Sequence, residues 1–546
     1  MVWRVVPVAA FFASLSVLAY GIVRTNDRTD PIWFALLLVA SGFWAIALAP
    51  EIRRLARRHA HPLLHIALVL TLGFGLVTVQ ILRAQLFDRE RILARTSDPT
   101  SGVIDVRRYA LERSLARGKI LLSDGSVIAE DTVENGRRVR RYRTSAAYLA
   151  GYYSPGLYGA AGLEARYDAE LSGRTAGTWQ AWLDGILHRR RSGNDIVLTI
   201  DPRLQELGQS LLGDRTGGIV LLDANTGAVL ALVTAPAFDP NLLSVPLGAS
   251  ADDVGKATSY LDRLREDGRG PLLLRPIQGL YVPGSTFKTI TAAAALQSGI
   301  ATPDTVYRDD GALVIDSRVI IEQNRPDPAR LSYTLREAYG YSLNVVYAQV
   351  GLALGASRLE ETARAAGFGE RIPFDLPVAV SRLTDSPDFL SAPAGLAETA
   401  FGQGQLLVTP LQMALVVAGV VRDGTVPEPY IVQEVRDAAG QVIWHREPRI
   451  WRRAFDQKTA KALHELMTWS VEHGYAQAAR IPGVTVGGKT GTAEVGELAP
   501  HAWFIGFAER GDVRVVVAVV VEHGGSGAQV ALPIGRTLLA AAVGME

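Results

Sequence analysis

Three short motifs in this chain hold side chains that can do chemistry together. Ser285-Thr286-Phe287-Lys288 is its only Ser-x-x-Lys, Ser342-Leu343-Asn344 is a Ser-x-Asn, and Lys489-Thr490-Gly491 is its only Lys-Thr-Gly. A serine hydroxyl is a poor nucleophile until a base stands within hydrogen-bond reach. Pro283-Gly284 ends an extended segment, so Ser285 is placed at a helix start with Lys288 one turn on, over the same face. A lysine held in an apolar site loses solvation of its charged form, its pKa falls, and it becomes that base. Free N–H groups at the helix start let the Ser285 N–H hold a developing oxyanion. Ser342 can relay a proton towards a leaving amine, and Asn344 can orient a substrate amide. Lys489, Thr490 and Thr492 follow Gly487-Gly488 on a strand edge, where they can grip a carboxylate. The Thr492 N–H is the second oxyanion donor, and Gly491 lets a substrate backbone lie close. Ser285, Lys288, Ser342 and Asn344 are thus the expected catalytic groups, and Lys489 to Thr492 the expected substrate-binding strand.

The pieces differ in weight. Ser192-Gly193-Asn194 also fits Ser-x-Asn, whereas lysine is scarce, six against fifty arginines, so a lysine inside a motif is informative. A phosphate-binding loop competes for the third motif, because residues 483–490 satisfy G-x-x-x-x-G-K-[ST]. That loop must lead from a strand into a helix. Here the residues alternate as a strand through the motif itself, and Gly491 and Pro500 oppose a following helix. The remaining candidates read more plainly: Gly402-Gln403-Gly404 as a turn that can border the cleft, Trp503 and Phe504 as strand core, Glu398 and Asp385 as wall or surface carboxylates, and His501 as a loop histidine.

The elements that must position these motifs follow a simple order. A strand at 196–200 leads to a helix at 201–212 with Pro202 in its first turn, then to paired strands at 218–223 and 228–233. Alanine-rich helices are predicted at 285–297, 335–353 and 410–421, strands at 484–492, 502–509 and 513–522, and a last helix at 533–543. Strands at both ends with helices between predict one sheet closed by the two ends of a domain over 196–546. Residues 86–195 read as a small α+β module without chemistry of its own, opening with a charged helix at 87–95. Turn signals stand at Asp124-Gly125 and Asn135-Gly136.

At 546 residues, 48% hydrophobic and 20% charged, the chain has ample core and is not a disordered tail. A net charge of +1 gives no global signal for nucleic acid, and the absence of cysteine removes disulfides, thiolate metal sites and cysteine nucleophiles. Residues 1–85 differ from the rest. Apolar runs at 5–23, 32–49 and 63–82 are each long enough to cross a bilayer. A cleavable signal is the weaker reading of the first: Arg4 is its only basic residue, and the Ala-x-Ala at 47–49 is followed by Pro50. Arg53, Arg54, Arg57 and Arg58 put the 51–61 loop in the cytoplasm. The N-terminus is then cytoplasmic and the bulk of the chain lies outside. His59, His61 and His65 read as membrane-interface residues and not as a metal site.

With those motifs in order, the chain resembles the class B penicillin-binding proteins, the monofunctional transpeptidases of the bacterial cell wall. The resemblance extends to Arg117-Gly118-Lys119-Ile120, Gly162-Leu163-Glu164, Thr226-Gly227-Ala228-Val229, Phe238-Asp239-Pro240-Asn241 and Gly279-Leu280-Tyr281-Val282-Pro283-Gly284. It implies a membrane-anchored α+β protein with a pedestal module below a transpeptidase domain, an antiparallel sheet flanked by helices as in serine β-lactamases. Ser285 would be acylated by a D-Ala-D-Ala stem peptide or by a β-lactam, and the acyl group would pass to an amine on a neighbouring stem. No cofactor or metal is implied. A membrane glycosyltransferase of the shape, elongation, division and sporulation family is the implied partner. Two features depart from the family: three apolar runs where members usually have one, and Leu343 where one form of the motif has aspartate. A D,D-carboxypeptidase, a β-lactamase or a non-turnover sensor can use the same residues. No Glu-x-x-x-Asn lies between the second and third motifs, which disfavours a class A β-lactamase.

Overall fold

The computed structural model describes residues 2–24, 31–56, 70–71, 73–81, 83, 116–134, 137–173 and 192–545. The chain divides into two units, one of Met1–Ser114 with Gly177–Arg190, the other of Leu115–Ala176 with Arg191–Glu546. In the first, the helices Val2–Arg24 and Pro31–Ala56 pack together, with Ser14 Oγ donating to the Ala40 carbonyl at 3.0 Å and Trp33 buried. Among the described residues no helix is long and apolar enough to cross a membrane. The arginine loop beyond residue 56, His59, His61, His65, much of the run at 63–82, the helix expected at 87–95 and the Asn135-Gly136 turn lie outside them.

The second unit is built on a five-stranded antiparallel sheet. Its order is Thr485–Val495, Leu498–Arg510, Val513–Val521, Gly217–Asp223, Val229–Ala235, so the two ends of the sequence region do close one sheet. Both faces are buried, which is why the central strands Gly217–Asp223 and Val513–Val521 read as mostly apolar runs. Ile219, Leu221, Val517 and Val519 pack under the C-terminal helix Ala531–Ala542. Val220, Leu222, Val516 and Ala518 belong to the larger core holding the helices Lys288–Gln297, Pro410–Val421 and Gln457–Glu472. The strand carrying the third motif, Thr485–Val495, is an edge strand with one side free.

The strand read at 196–200 does not join this sheet. Asp195–Leu198 runs parallel to Ile120–Leu121 in a separate six-stranded sheet, beside Val432–Arg436. That sheet also holds Val127–Glu134, Arg137–Tyr142 and Val442–His445, so it joins sequence from both sides of residue 196. Beside it, a buried charge network fastens the segment at 117 to the short helix Leu163–Arg166. Arg117 Nε and Arg140 Nε donate to Glu164 at 2.6 and 2.7 Å, and Arg117 also pairs with Asp168. Burial alone would raise the Glu164 carboxyl; Arg140 and Arg117 outweigh it and hold it below the usual carboxylate range.

The helix expected over 335–353 is interrupted. Leu335–Gly340 ends, the chain turns, and Asn344–Leu354 begins anew. At the turn Ser342 has φ +61°, a left-handed conformation that a non-glycine residue holds only when its surroundings enforce it.

Candidate active site

Ser285 sits in a single 3₁₀ turn, Gly284–Phe287, from which the helix Lys288–Gln297 continues. The turn lies tight against the edge strand. A Cβ on Gly284, itself at φ +57°, would stand 2.9 Å from the Thr492 carbonyl, and one on Gly491 would stand 2.9 Å from the Pro283 carbonyl. Gly491 therefore has a contact that the sequence reading did not foresee. Its missing side chain admits the serine turn. Behind the turn, Trp503 Nε1 donates to the Val282 carbonyl at 3.0 Å, so this core residue also braces the approach to Ser285.

Lys288 is completely buried. Its Nζ donates to the Ser342 carbonyl at 2.7 Å, to Ser342 Oγ at 3.3 Å and to Asn344 Oδ1 at 2.7 Å, and lies 5.4 Å from the Tyr347 ring centre. The first and second motifs therefore meet at this amine. Burial lowers its pKa to about 7, with the Glu322 carboxylate pulling the other way. Leu343 lies in the large core, fully buried. The middle position of the motif thus faces away from the chemistry, which removes the difficulty posed by its departure from aspartate.

The third motif alternates across the strand. Thr490 and Thr492 line a cleft of about 490 Å³ together with Ser285, Ser342 and Asn344. Lys489 points to the opposite face of the strand, the one whose paired residue Ile505 joins the core holding the Lys288 helix: it is buried, donates to the Thr490 carbonyl at 3.0 Å and lies 5.8 Å from the Tyr339 ring centre. Its pKa is pushed well down, by burial first and then by the charge of Lys288. The Thr490 and Thr492 hydroxyls line the cleft itself, and Lys489 stands within reach of the Lys288 charge. Thr492 Oγ1 also accepts from the Gly527 N–H at 3.3 Å, which ties down the loop after the last strand.

The sequence reading missed one wall entirely. The hairpin Ala312–Ile315 and Arg318–Ile321 contributes Arg318 to Ile321 to the cleft, and Gln323, Asn324, Tyr475 and Glu494 complete that rim. Its sequence signal was two short apolar runs, 312–315 and 319–321, about Asp316-Ser317 in a region without motifs. Glu398 and Gln403 do line the cleft, and Glu398 pairs with Arg318 at 3.0 Å. His501 lies off it, against Tyr281, and its Nδ1 accepts from the His523 N–H at 3.1 Å. Asp385 pairs with Arg382. Among the described residues no group of acidic residues and histidines is arranged to hold a metal.

The description of the penicillin-binding protein transpeptidase domain matches residues 217–540, a span that contains every group just placed. The chain belongs to that family. A penicillin-binding protein A dimerisation domain matches residues 117–196 of this penicillin-binding protein. It is 35% identical over 453 residues to the peptidoglycan D,D-transpeptidase PbpA of Mycolicibacterium smegmatis, covering 79% of this chain and 90% of that one. It is 28% identical over 420 residues to the peptidoglycan D,D-transpeptidase MrdA of Escherichia coli, covering 69% and 64%. Among solved structures it is similar to the imipenem acyl-enzyme complex of penicillin-binding protein A from M. tuberculosis, with TM-score 0.72, 34% identity, and coverage of 79% of this chain and 99% of that one.

Proposed function

We propose that this penicillin-binding protein is a peptidoglycan D,D-transpeptidase that works through an acyl-enzyme on Ser285. The observation that carries the reading is the Lys288 amine, buried, tuned to about pH 7 and held by Ser342 and Asn344 beside the serine turn of an open cleft. Ser285 Oγ attacks the carbonyl carbon of the penultimate D-alanine while Lys288 takes its proton. The oxyanion is held by the N–H groups of Ser285 and Thr492. Ser342, hydrogen-bonded to Lys288, passes a proton to the departing D-alanine amine. The terminal carboxylate lies against the Thr490 and Thr492 hydroxyls, and the stem peptide runs along the free edge of the strand. An amine of a second stem then attacks the ester, forming the cross-link and returning the proton to Ser285. A β-lactam acylates the same serine. The apolar runs at 5–23, 32–49 and 63–82 and the arginine loop support an inner-membrane anchor with the N-terminus inside, the catalytic domain outside, and a membrane glycosyltransferase as partner. The test supplies a D-Ala-D-Ala pentapeptide and an acceptor amine to the full chain in detergent. Joined product and free D-alanine, both lost in Ser285→Ala, are expected. D-alanine without joined product would make the protein a carboxypeptidase, and neither would make it a sensor or scaffold.

A further inference from the structure

The turn that presents Ser342 and Asn344 to Lys288 is closed only partly from within, the Ser342 and Leu343 N–H groups donating to the Tyr339 and Ala338 carbonyls at 3.2 and 2.9 Å. Ser342 is left-handed at φ +61°, and its carbonyl and the Val345 N–H, in the first turn of the next helix, are bonded from outside the turn. Two residues just past the cleft hairpin supply what it lacks. The Glu322 carboxylate accepts the Val345 N–H at 2.9 Å with Oε2, in the first turn of the helix that Asn344 opens, and the Asn324 N–H at 3.0 Å with Oε1. The Asn324 side-chain amide donates at 3.0 Å to the Ser342 carbonyl, the same oxygen that Lys288 reaches at 2.7 Å. Tyr475 closes the chain from another element, its hydroxyl donating to the Asn324 carbonyl at 2.7 Å. No motif of the active site includes these groups.

We propose that Glu322 and Asn324 are positioning residues for the acylation step, holding Ser342 and Asn344 in place against the Lys288 amine. The inference rests on the reading of Lys288 as the base for Ser285. Glu322 has a second effect through its charge. It is buried beside Lys288, and its negative charge favours the ammonium form, opposing the burial that lowers the lysine. The other groups facing Lys288 are Lys489 from the edge strand and the Tyr347 ring; those facing Glu322 are Asp309 and Tyr475. Glu322→Gln keeps one acceptor oxygen, for the Val345 N–H, gives up the bond from the Asn324 N–H and removes the charge. Without it the Lys288 amine loses its proton more readily, so the acid limb of the rate profile moves to lower pH. A residue that merely supported the fold would not move that limb.

The experiment is the second-order rate of acylation by a fluorescent penicillin, from pH 5 to 9, on the full chain in detergent. Wild type, Glu322→Gln and Asn324→Ala are compared, with folding checked by thermal melting. Glu322→Gln is expected to shift the acid limb downward relative to wild type. Asn324→Ala is expected to lower the plateau rate about tenfold with the limb unmoved; this variant keeps the test alive if Glu322→Gln does not fold. A limb that stays in place in folded Glu322→Gln, or an unchanged plateau in Asn324→Ala, overturns the proposal while leaving Ser285 and Lys288 intact. A wild-type chain that is not acylated at any pH overturns the reading beneath it.

Discussion

Lys288 is the residue on which the rate depends, because only its neutral form can take the serine proton. With its pKa lowered to about 7, the neutral fraction grows as pH rises through that value and saturates above it. Acylation by a penicillin should therefore climb between about pH 6 and 8 and then level, as stopped-flow measurements across that range would show. Lys288→Arg keeps the charge but not the base, and should lower the rate by about a hundredfold or more. Leu343 makes the opposite kind of prediction. Since it is fully buried in the core, Leu343→Asp would leave a carboxylate without partners and should cost about 3 kcal/mol or more, read as a fall in Tm. A stability equal to wild type would mean that this position faces polar surroundings after all.

The elements position the site by touching at distances only glycine permits. A Cβ on Gly402, which has φ +98°, would stand 1.7 Å from the Gly284 carbonyl, directly beneath the serine turn. Gly402→Ala should push that turn off the edge strand and reduce acylation by about tenfold or more, measured beside a Tm that reports how much of the loss is stability. Several of these elements were legible in the sequence, because the central strands of the main sheet, at 217–223 and 513–521, are mostly apolar and Pro202 marks a helix start. The three motifs were legible for the same local reason: a nucleophile, a base and a hydroxyl strand each fit within four residues. What was hidden is non-local. Nothing in the run from 335 to 353 announces that Ser342 breaks the helix, and the Ser342 carbonyl is held by Lys288 and Asn324 from distant segments. Nor does spacing show that Lys489 takes the face packed on the Lys288 helix while Thr490 and Thr492 line the cleft, because alternation tells which residues share a face but not which face meets which neighbour.

At the scale of the whole molecule, the catalytic sheet and the six-stranded sheet lie in one unit, and a buried ion network beside the second sheet carries a pH signature. Glu164 is held below its ordinary value by Arg140 and Arg117. Its contribution is therefore present above the unfolded carboxyl pKa and is lost as pH falls through the lower, folded one. Glu164→Gln leaves the two arginines buried without their shared partner and should cost about 3–5 kcal/mol near neutral pH, with a smaller loss in strong acid where wild type is weakened too. Thermal melts of both proteins at pH 7 and pH 3 read that convergence; parallel losses at the two values would deny Glu164 its charge-paired role. The account as a whole stands on one covalent bond. Intact mass of the full chain after incubation with a penicillin, followed over hours and mapped by digestion, tests it most directly. A single long-lived adduct on Ser285, absent in Ser285→Ala, is the predicted result. A folded chain that gains no mass, or a Ser285→Ala protein that still forms the adduct, would contradict it.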